Sequence, residues 1–135
     1  MLLFLTIIPP PLPAMAPLPR VILARHGETE WSISGQHTGR SDIPLTPHGR
    51  AVMLQLAPTF VSCDGSKMLD PRHLSHILCS PRQRSQDTLK LMFAHLSDEE
   101  RAEIVPTETL QACREWDYGA YEGKKVGRRT KGVVR

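Results

Sequence analysis

This chain lacks any cysteine pair at metal-binding or redox spacing. Its three cysteines, Cys63, Cys79 and Cys113, are odd in number and widely separated, with no CxxC among them. That excludes a disulfide framework and a cysteine-based zinc site, and it predicts a reducing compartment, cytoplasmic or also nuclear. His73 and His76 are spaced i, i+3, but no cysteine or acid stands at a matching interval, so no metal is expected. Long apolar runs are also absent. The stretch from Leu2 to Ile8 is far short of the roughly 20 residues a bilayer span needs, and no basic segment precedes it as in a secretory leader. No membrane association is expected. Aromatic residues make up only 5% of the chain against 12 prolines, which marks part of it as irregular.

Acids are missing from one place in particular. The last twelve residues carry Lys124, Lys125, Arg128, Arg129, Lys131 and Arg135 with no counter-charge, so the net charge of +3 leaves the remainder of the chain at −3. The basic residues there have no aromatic neighbours to stack on bases, so no nucleic-acid partner is expected.

What is present suits one domain of 135 residues. Residues 1–19 read as an extended, disordered Pro-rich lead-in, with Met15 as an alternative start. Residues 124–135 read as a basic, unstructured tail. Between them, Val21 to Ala24 is a continuous apolar run of the kind found in strands buried on both faces of a parallel sheet. In "LTPHGRAVMLQLAPTF", Thr46 is the expected N-cap and Pro47 the first helical residue of a helix to about Val61, with Val52, Leu56 and Phe60 inward and Pro58 a weak point. "HILCS", His76 to Ser80, predicts a second strand, and Ser80-Pro81 the start of a second helix with Leu89, Met92, Phe93 and Leu96 buried. Ser97 and Glu100 form a capping box for a short helix through Glu103, and Ile104 and Val105 a brief strand limited by Pro106. Strands alternating with helices predict an α/β sheet.

In such sheets ligands settle beyond the carboxyl ends of the strands. Two polar clusters are expected there: Arg25-His26-Gly27 after the first strand, and Ser80-Pro81-Arg82-Gln83-Arg84 after the second. Guanidinium groups and a helix N-terminus together suit a phosphate. A neutral histidine among them has an evident use as a nucleophile toward phosphorus, with the arginines supplying the charge stabilisation otherwise given by a metal. Gly27 would let the substrate approach the backbone, and Glu115 is the candidate acid for the leaving oxygen. Arg82 is either a further anion contact or a solvent-facing helix residue. Trp31 and Trp116 are expected to pack, Glu28 and Glu30 to form a solvated edge, and His37 and His48 receive no role.

The stretches "RHGETEW", "GQHTGRSDIPLTPHG", "SPRQRSQDT" and "REWDYGAYEG" occur in that order. Together they resemble the successive motifs of the histidine phosphatase superfamily, the phosphoglycerate mutase-like proteins, and within it the fungal sedoheptulose-1,7-bisphosphatase-like branch. The resemblance covers Arg20 to Gly123 and implies an incomplete three-layer α/β/α phosphoglycerate mutase-like fold. It implies that His26 is the phosphorylated nucleophile and Glu115 the general acid and base. It further implies that Arg25 and Arg84 bind the transferred phosphoryl group, and that Ser32, Thr38, Gly39 and Tyr118 line the substrate side. Ser32 stands where mutases carry asparagine, which points toward a phosphatase. The implied reaction is metal-independent and needs no cofactor, and its partner is a small phosphorylated substrate, a sugar phosphate or bisphosphate.

The resemblance also implies a second histidine beyond the "YEG" motif, and no histidine follows His95. The expectation is a pocket short of one central group, in a chain that holds only the first half of the domain. Val21 to Ala24 would then have unpaired backbone edges and uncovered apolar surface. A phosphate-binding or interaction module without catalysis is the alternative, and oligomeric state is left open.

Overall fold

The computed structural model describes residues 2–7, as backbone, and residues 19–125. The elements are β1 (Leu2–Ile7), β2 (Arg20–Arg25), α1 (Glu30–Ser34), α2 (Pro47–Phe60), β3 (Leu74–Cys79), α3 (Gln83–Met92), α4 (Asp98–Ala102) and β4 (Thr107–Thr109). They form a single four-stranded sheet in the order β2-β1-β3-β4.

The lead-in departs from expectation at its first residues. Leu2–Ile7 is a strand inserted between β2 and β3, antiparallel to both, with Leu2 opposite Arg25 and Ile7 opposite Arg20. The physical reason is backbone pairing: β2 and β3 each present a free row of N–H and C=O groups on the side they turn to each other, and a six-residue apolar run satisfies both rows. One edge of β2 is therefore paired, where open edges were expected on both sides, and β2 is the outer strand of the sheet. Because β1 opposes both neighbours, β2 and β3 run the same way, and β4 is parallel to β3. The carboxyl ends of β2 and β3 consequently lie on one side of the sheet.

Local signals explain the helices. Thr46 Oγ1 accepts from the Gly49 N–H and caps α2, with Pro47 in its first turn and Val61 as the last cap, the span the sequence predicts. Ser97 and Glu100 form the expected reciprocal capping box of α4. α3 starts later than expected, with Arg82 at its N-cap position and no side-chain cap, while Ser80 lies in the preceding turn. The last strand lies after Pro106, at Thr107–Thr109, and Ile104 and Val105 pack as partly buried residues against the core instead. Pro carries no N–H, so the ladder begins only beyond it.

α2 and α3 pack together over one face of the sheet, where Ile77, Cys79, Val61 and Leu69 are almost fully buried. Ile22 and Ala24 reach this core from β2, while the alternate residues Val21 and Leu23 stay 60% and 52% exposed on the other face. Of the expected inward residues of α2, Leu56 and Phe60 are also exposed. The described residues thus form an incomplete α/β/α sandwich with one face of the sheet left open. The basic tail begins inside the fold: Lys124 accepts a hydrogen bond from the His37 N–H, and Lys125 bridges to Gln36. Residues 8–18 and 126–135 lie outside the described residues.

Candidate active site

The first cluster sits where β2 ends. Gly27 sends its N–H to Thr88 Oγ1 at 3.0 Å, and Thr88 in turn donates to the Arg84 carbonyl at 2.7 Å. This is a tie between the two sequence-distant clusters, made by a residue that sequence reasoning missed. The available signal was its position one helical turn after Arg84, on the same face of α3. Thr88→Val would keep the shape but leave the Gly27 N–H without its acceptor. The expected cost is about 1–3 kcal/mol, read by chemical denaturation.

Gly27 is needed for packing. A Cβ there would meet Met53 Cγ at 3.0 Å and Leu45 Cδ2 at 3.3 Å, and one on Gly49 would lie 2.6 Å from the Glu28 carbonyl oxygen. The two glycines let the first turn of α2 lie directly against residues 26–28. Glu28, expected as a solvated edge, instead accepts from Thr46 Oγ1 at 2.6 Å and approaches His48 Nδ1 at 3.2 Å, which draws His48 into the same contact.

His26 is half-buried, and its Nδ1 lies 2.7 Å from the Gly27 carbonyl oxygen. A carbonyl only accepts, so Nδ1 carries the proton in this contact and Nε2 is left with its lone pair. Burial holds the imidazole pKa below 6.5. The bond to Gly27 pulls the other way, and the Arg84 and Arg25 charges add to the lowering.

An open cleft of about 230 Å³ is lined by Arg25, His26, Ser32, Thr38, Glu115 and Tyr118, six of the eight residues singled out from the sequence. Glu115 Oε1 accepts the Trp116 N–H at 3.1 Å. Burial raises the Tyr118 phenol pKa, and the Glu115 carboxylate beside it raises it further. Ser32 does more locally than line a wall: its hydroxyl accepts from the Thr29 N–H and donates to the Thr29 carbonyl, closing the capping box of α1.

The remaining two residues stand behind the wall. Arg84 is 1% exposed; Nη1 donates to the Ser41 carbonyl at 3.0 Å and Nη2 to the Thr38 carbonyl at 3.3 Å, while Nε is buried with no partner among the described residues. Its guanidinium still acts on His26 and Glu115 through space. Gly39 is buried against the 116–122 segment and gives its N–H to Glu122. Trp31 packs on Gly123, as expected of a packing residue, but Trp116 is 80% exposed. His37, given no role, lines the cleft with its ring centroid 4.7 Å from that of Tyr118.

Residues 21–131 match the family model described as "Histidine phosphatase superfamily (branch 1)", so the match runs past Gly123, where the sequence resemblance was expected to stop. Sedoheptulose 1,7-bisphosphatase of Saccharomyces cerevisiae is 46% identical over 107 residues, covering 78% of this chain and 38% of the relative. An acid phosphatase of Mycobacterium tuberculosis is 39% identical over 104 residues, covering 77% of this chain and 43% of the relative. The chain therefore spans about two-fifths of the length of these curated relatives. Among solved structures, a phosphoglycerate mutase from Thermus thermophilus superimposes with a TM-score of 0.51 at 26% identity, covering 75% of this chain and 46% of that one. A mycobacterial glucosyl-3-phosphoglycerate phosphatase in complex with VO3 gives 0.53 at 20% identity, covering 74% of this chain and 42% of that one, a likeness of fold alone.

Proposed function

Because this chain belongs to the histidine phosphatase superfamily, we propose that it carries the phosphoryl-transfer site of a metal-independent phosphatase. The substrate is a small phosphorylated metabolite, a sugar phosphate or bisphosphate, and the reaction passes through a phosphohistidine at His26. The observation that carries this reading is the His26 Nδ1 contact to the Gly27 carbonyl, in a cleft that also holds Arg25 and Glu115.

The hydrogen bond to Gly27 leaves the Nε2 lone pair available for attack on phosphorus. As the N–P bond forms, the bond from phosphorus to the substrate oxygen breaks, and Glu115 delivers to that oxygen a proton it has taken from the incoming phosphate monoanion. In the second half Glu115, now a carboxylate, takes a proton from the water that attacks phosphorus, and His26 leaves as neutral imidazole with release of orthophosphate. Arg25 neutralises charge on the equatorial oxygens at the mouth of the cleft, and Arg84 supplies a fixed positive field from behind it. The bisphosphatase from yeast supports a sugar bisphosphate as the substrate class, since it is a relative at 46% identity.

A folded-state pKa below 6.5 keeps His26 neutral, and so nucleophilic, as the pH falls through 6.5. The acid limb of kcat/KM is expected below pH 6.5, not at it. The same shift makes protonation costly to the fold: below pH 6.5 the unfolded chain takes up a proton that native His26 resists, so stability falls until the native pKa is passed. A pH titration of both activity and denaturation midpoint checks the sign.

The decisive experiment is to quench a reaction with labelled sugar bisphosphate and look for acid-labile, alkali-stable phosphoprotein. Its presence in the wild type and absence in His26→Ala supports the proposal, and unlabelled wild-type protein under turnover conditions overturns it. One observation favours a second reading, phosphate binding through Arg25 without turnover: both Nη groups of Arg84 are engaged by backbone carbonyls, which leaves fewer donors for the charge of the transferred group. Thermal protection by orthovanadate with no phosphoenzyme would select that reading.

A further inference from the structure

Glu122 has no part in the chemistry above, yet its carboxylate holds the backbone on the opposite side of the cleft wall. Oε1 accepts from the Ser41 N–H at 2.8 Å and from the Gly39 N–H at 3.1 Å, while Oε2 accepts from the Gly39 N–H at 3.0 Å. Burial works to raise its pKa, but the Ser41, Gly39 and Arg40 donors outweigh it and hold the group below the ordinary carboxylate value. On the carbonyl side of the same turn, Arg84 donates to Thr38 and Ser41. Residues 38–41 are therefore clamped between a carboxylate on their N–H side and a guanidinium on their C=O side.

The clamp is continued by the strap beside it. Gln36 Nε2 donates to the Gly123 carbonyl at 2.7 Å, the Gly123 N–H to the His37 carbonyl at 2.9 Å, and the His37 N–H to the Lys124 carbonyl at 3.0 Å. These bonds join the segment that carries Ser32 and Thr38 to the one that carries Glu115 and Tyr118. Gly39 makes the contact close enough, since a Cβ there would stand 2.0 Å from the Trp116 carbonyl oxygen.

We propose that Glu122 is a positioning residue of this cleft: by fixing the 38–41 turn on the 115–122 segment, it sets where Arg84 and Glu115 stand relative to His26. The proposal rests on the phosphatase reading for what the cleft binds, but not for the clamp itself. A charge-assisted pair of bonds to backbone N–H groups is strong, and losing the charge weakens it even when size is kept.

Glu122→Gln keeps the size and Glu122→Asp keeps the charge. Amide hydrogen exchange at Gly39 and Ser41 is expected to accelerate on the order of tenfold in Glu122→Gln, with Ile77 in the core unchanged as an internal control for folding. Orthovanadate affinity is expected to fall by a similar factor, about tenfold, and to be recovered better by Asp than by Gln. A residue that only fills space would give the reverse order. Unchanged exchange at Gly39 and Ser41 in Glu122→Gln overturns the proposal, and so does unchanged vanadate affinity in a variant whose turn has opened. If the wild type fails to bind vanadate, the phosphatase reading falls, and the exchange measurement alone decides the clamp.

Discussion

Gly39→Ala is expected to undock the 38–41 turn from the 116–122 segment. Its Cβ would lie 2.0 Å from the Trp116 carbonyl oxygen, and 3.0 Å from both Glu122 Oε2 and Tyr118 Cδ2. The nearest neighbour is backbone, which cannot swing aside as a flexible side chain does. Relief requires moving one segment off the other, which would strip Glu122 of its donors and displace Thr38 in the cleft wall. The cost should reach the upper end of the roughly 1–3 kcal/mol seen for overpacking. Denaturation followed by tryptophan fluorescence reads it, because Trp31 and Trp116 both belong to this junction. Gly35→Ala is the control: Gly35 caps α1 with φ +72°, but a Cβ there meets nothing within 4 Å among the described residues. That substitution should cost only about 1–2 kcal/mol of backbone strain and leave the cleft intact. Equal effects of the two would mean that the close approach at Gly39 is unimportant.

Deleting residues 2–7 is expected to abolish cooperative folding. β1 lies between β2 and β3, so its removal breaks two ladders at once and separates the strand that ends in Arg25-His26 from the strand that leads to Arg84. The orphaned N–H and C=O groups flank buried residues such as Ile77, where unsatisfied backbone costs as much as a lost hydrogen bond each. The sum should exceed the roughly 5 kcal/mol that marks the lower end of domain stability. A chain started at Met15 would show the same loss. Far-UV circular dichroism and a denaturant titration check it, and a sharp, native-like transition in the shortened chain would refute it.

Much of the site was legible in the sequence because its parts are local. A guanidinium next to an imidazole next to a glycine, at the end of an apolar run, needs only strand geometry to be read, and Thr46-Pro47 and Ser97-Glu100 needed only capping chemistry. Ser32, Thr38 and Tyr118 were indicated by the family resemblance alone, and they meet Arg25, His26 and Glu115 in one cleft. Gly27, read from the sequence as room for substrate, and Gly39, placed on the substrate side by the resemblance alone, are both packed closely against protein: Met53 and Leu45 at one, the Trp116 carbonyl at the other. Thr88 and Glu122 were invisible because each acts on backbone far away in sequence, 61 residues off in the bond from Gly27 to Thr88 and more than 80 in the bonds from Gly39 and Ser41 to Glu122.

By itself, then, the order of residues determined the Arg25-His26-Gly27 cluster at a strand end, the strand-helix alternation and the caps of α2 and α4, since each depends on neighbours within a turn or two. Only the tertiary structure decided that Leu2–Ile7 is a strand within the sheet, that Arg84 stands behind the cleft with its Nη groups taken up by backbone, and that Glu122 secures the wall. Those outcomes follow from satisfying buried backbone donors and acceptors across long sequence separations, and no local pattern of side chains records which distant segment will do so.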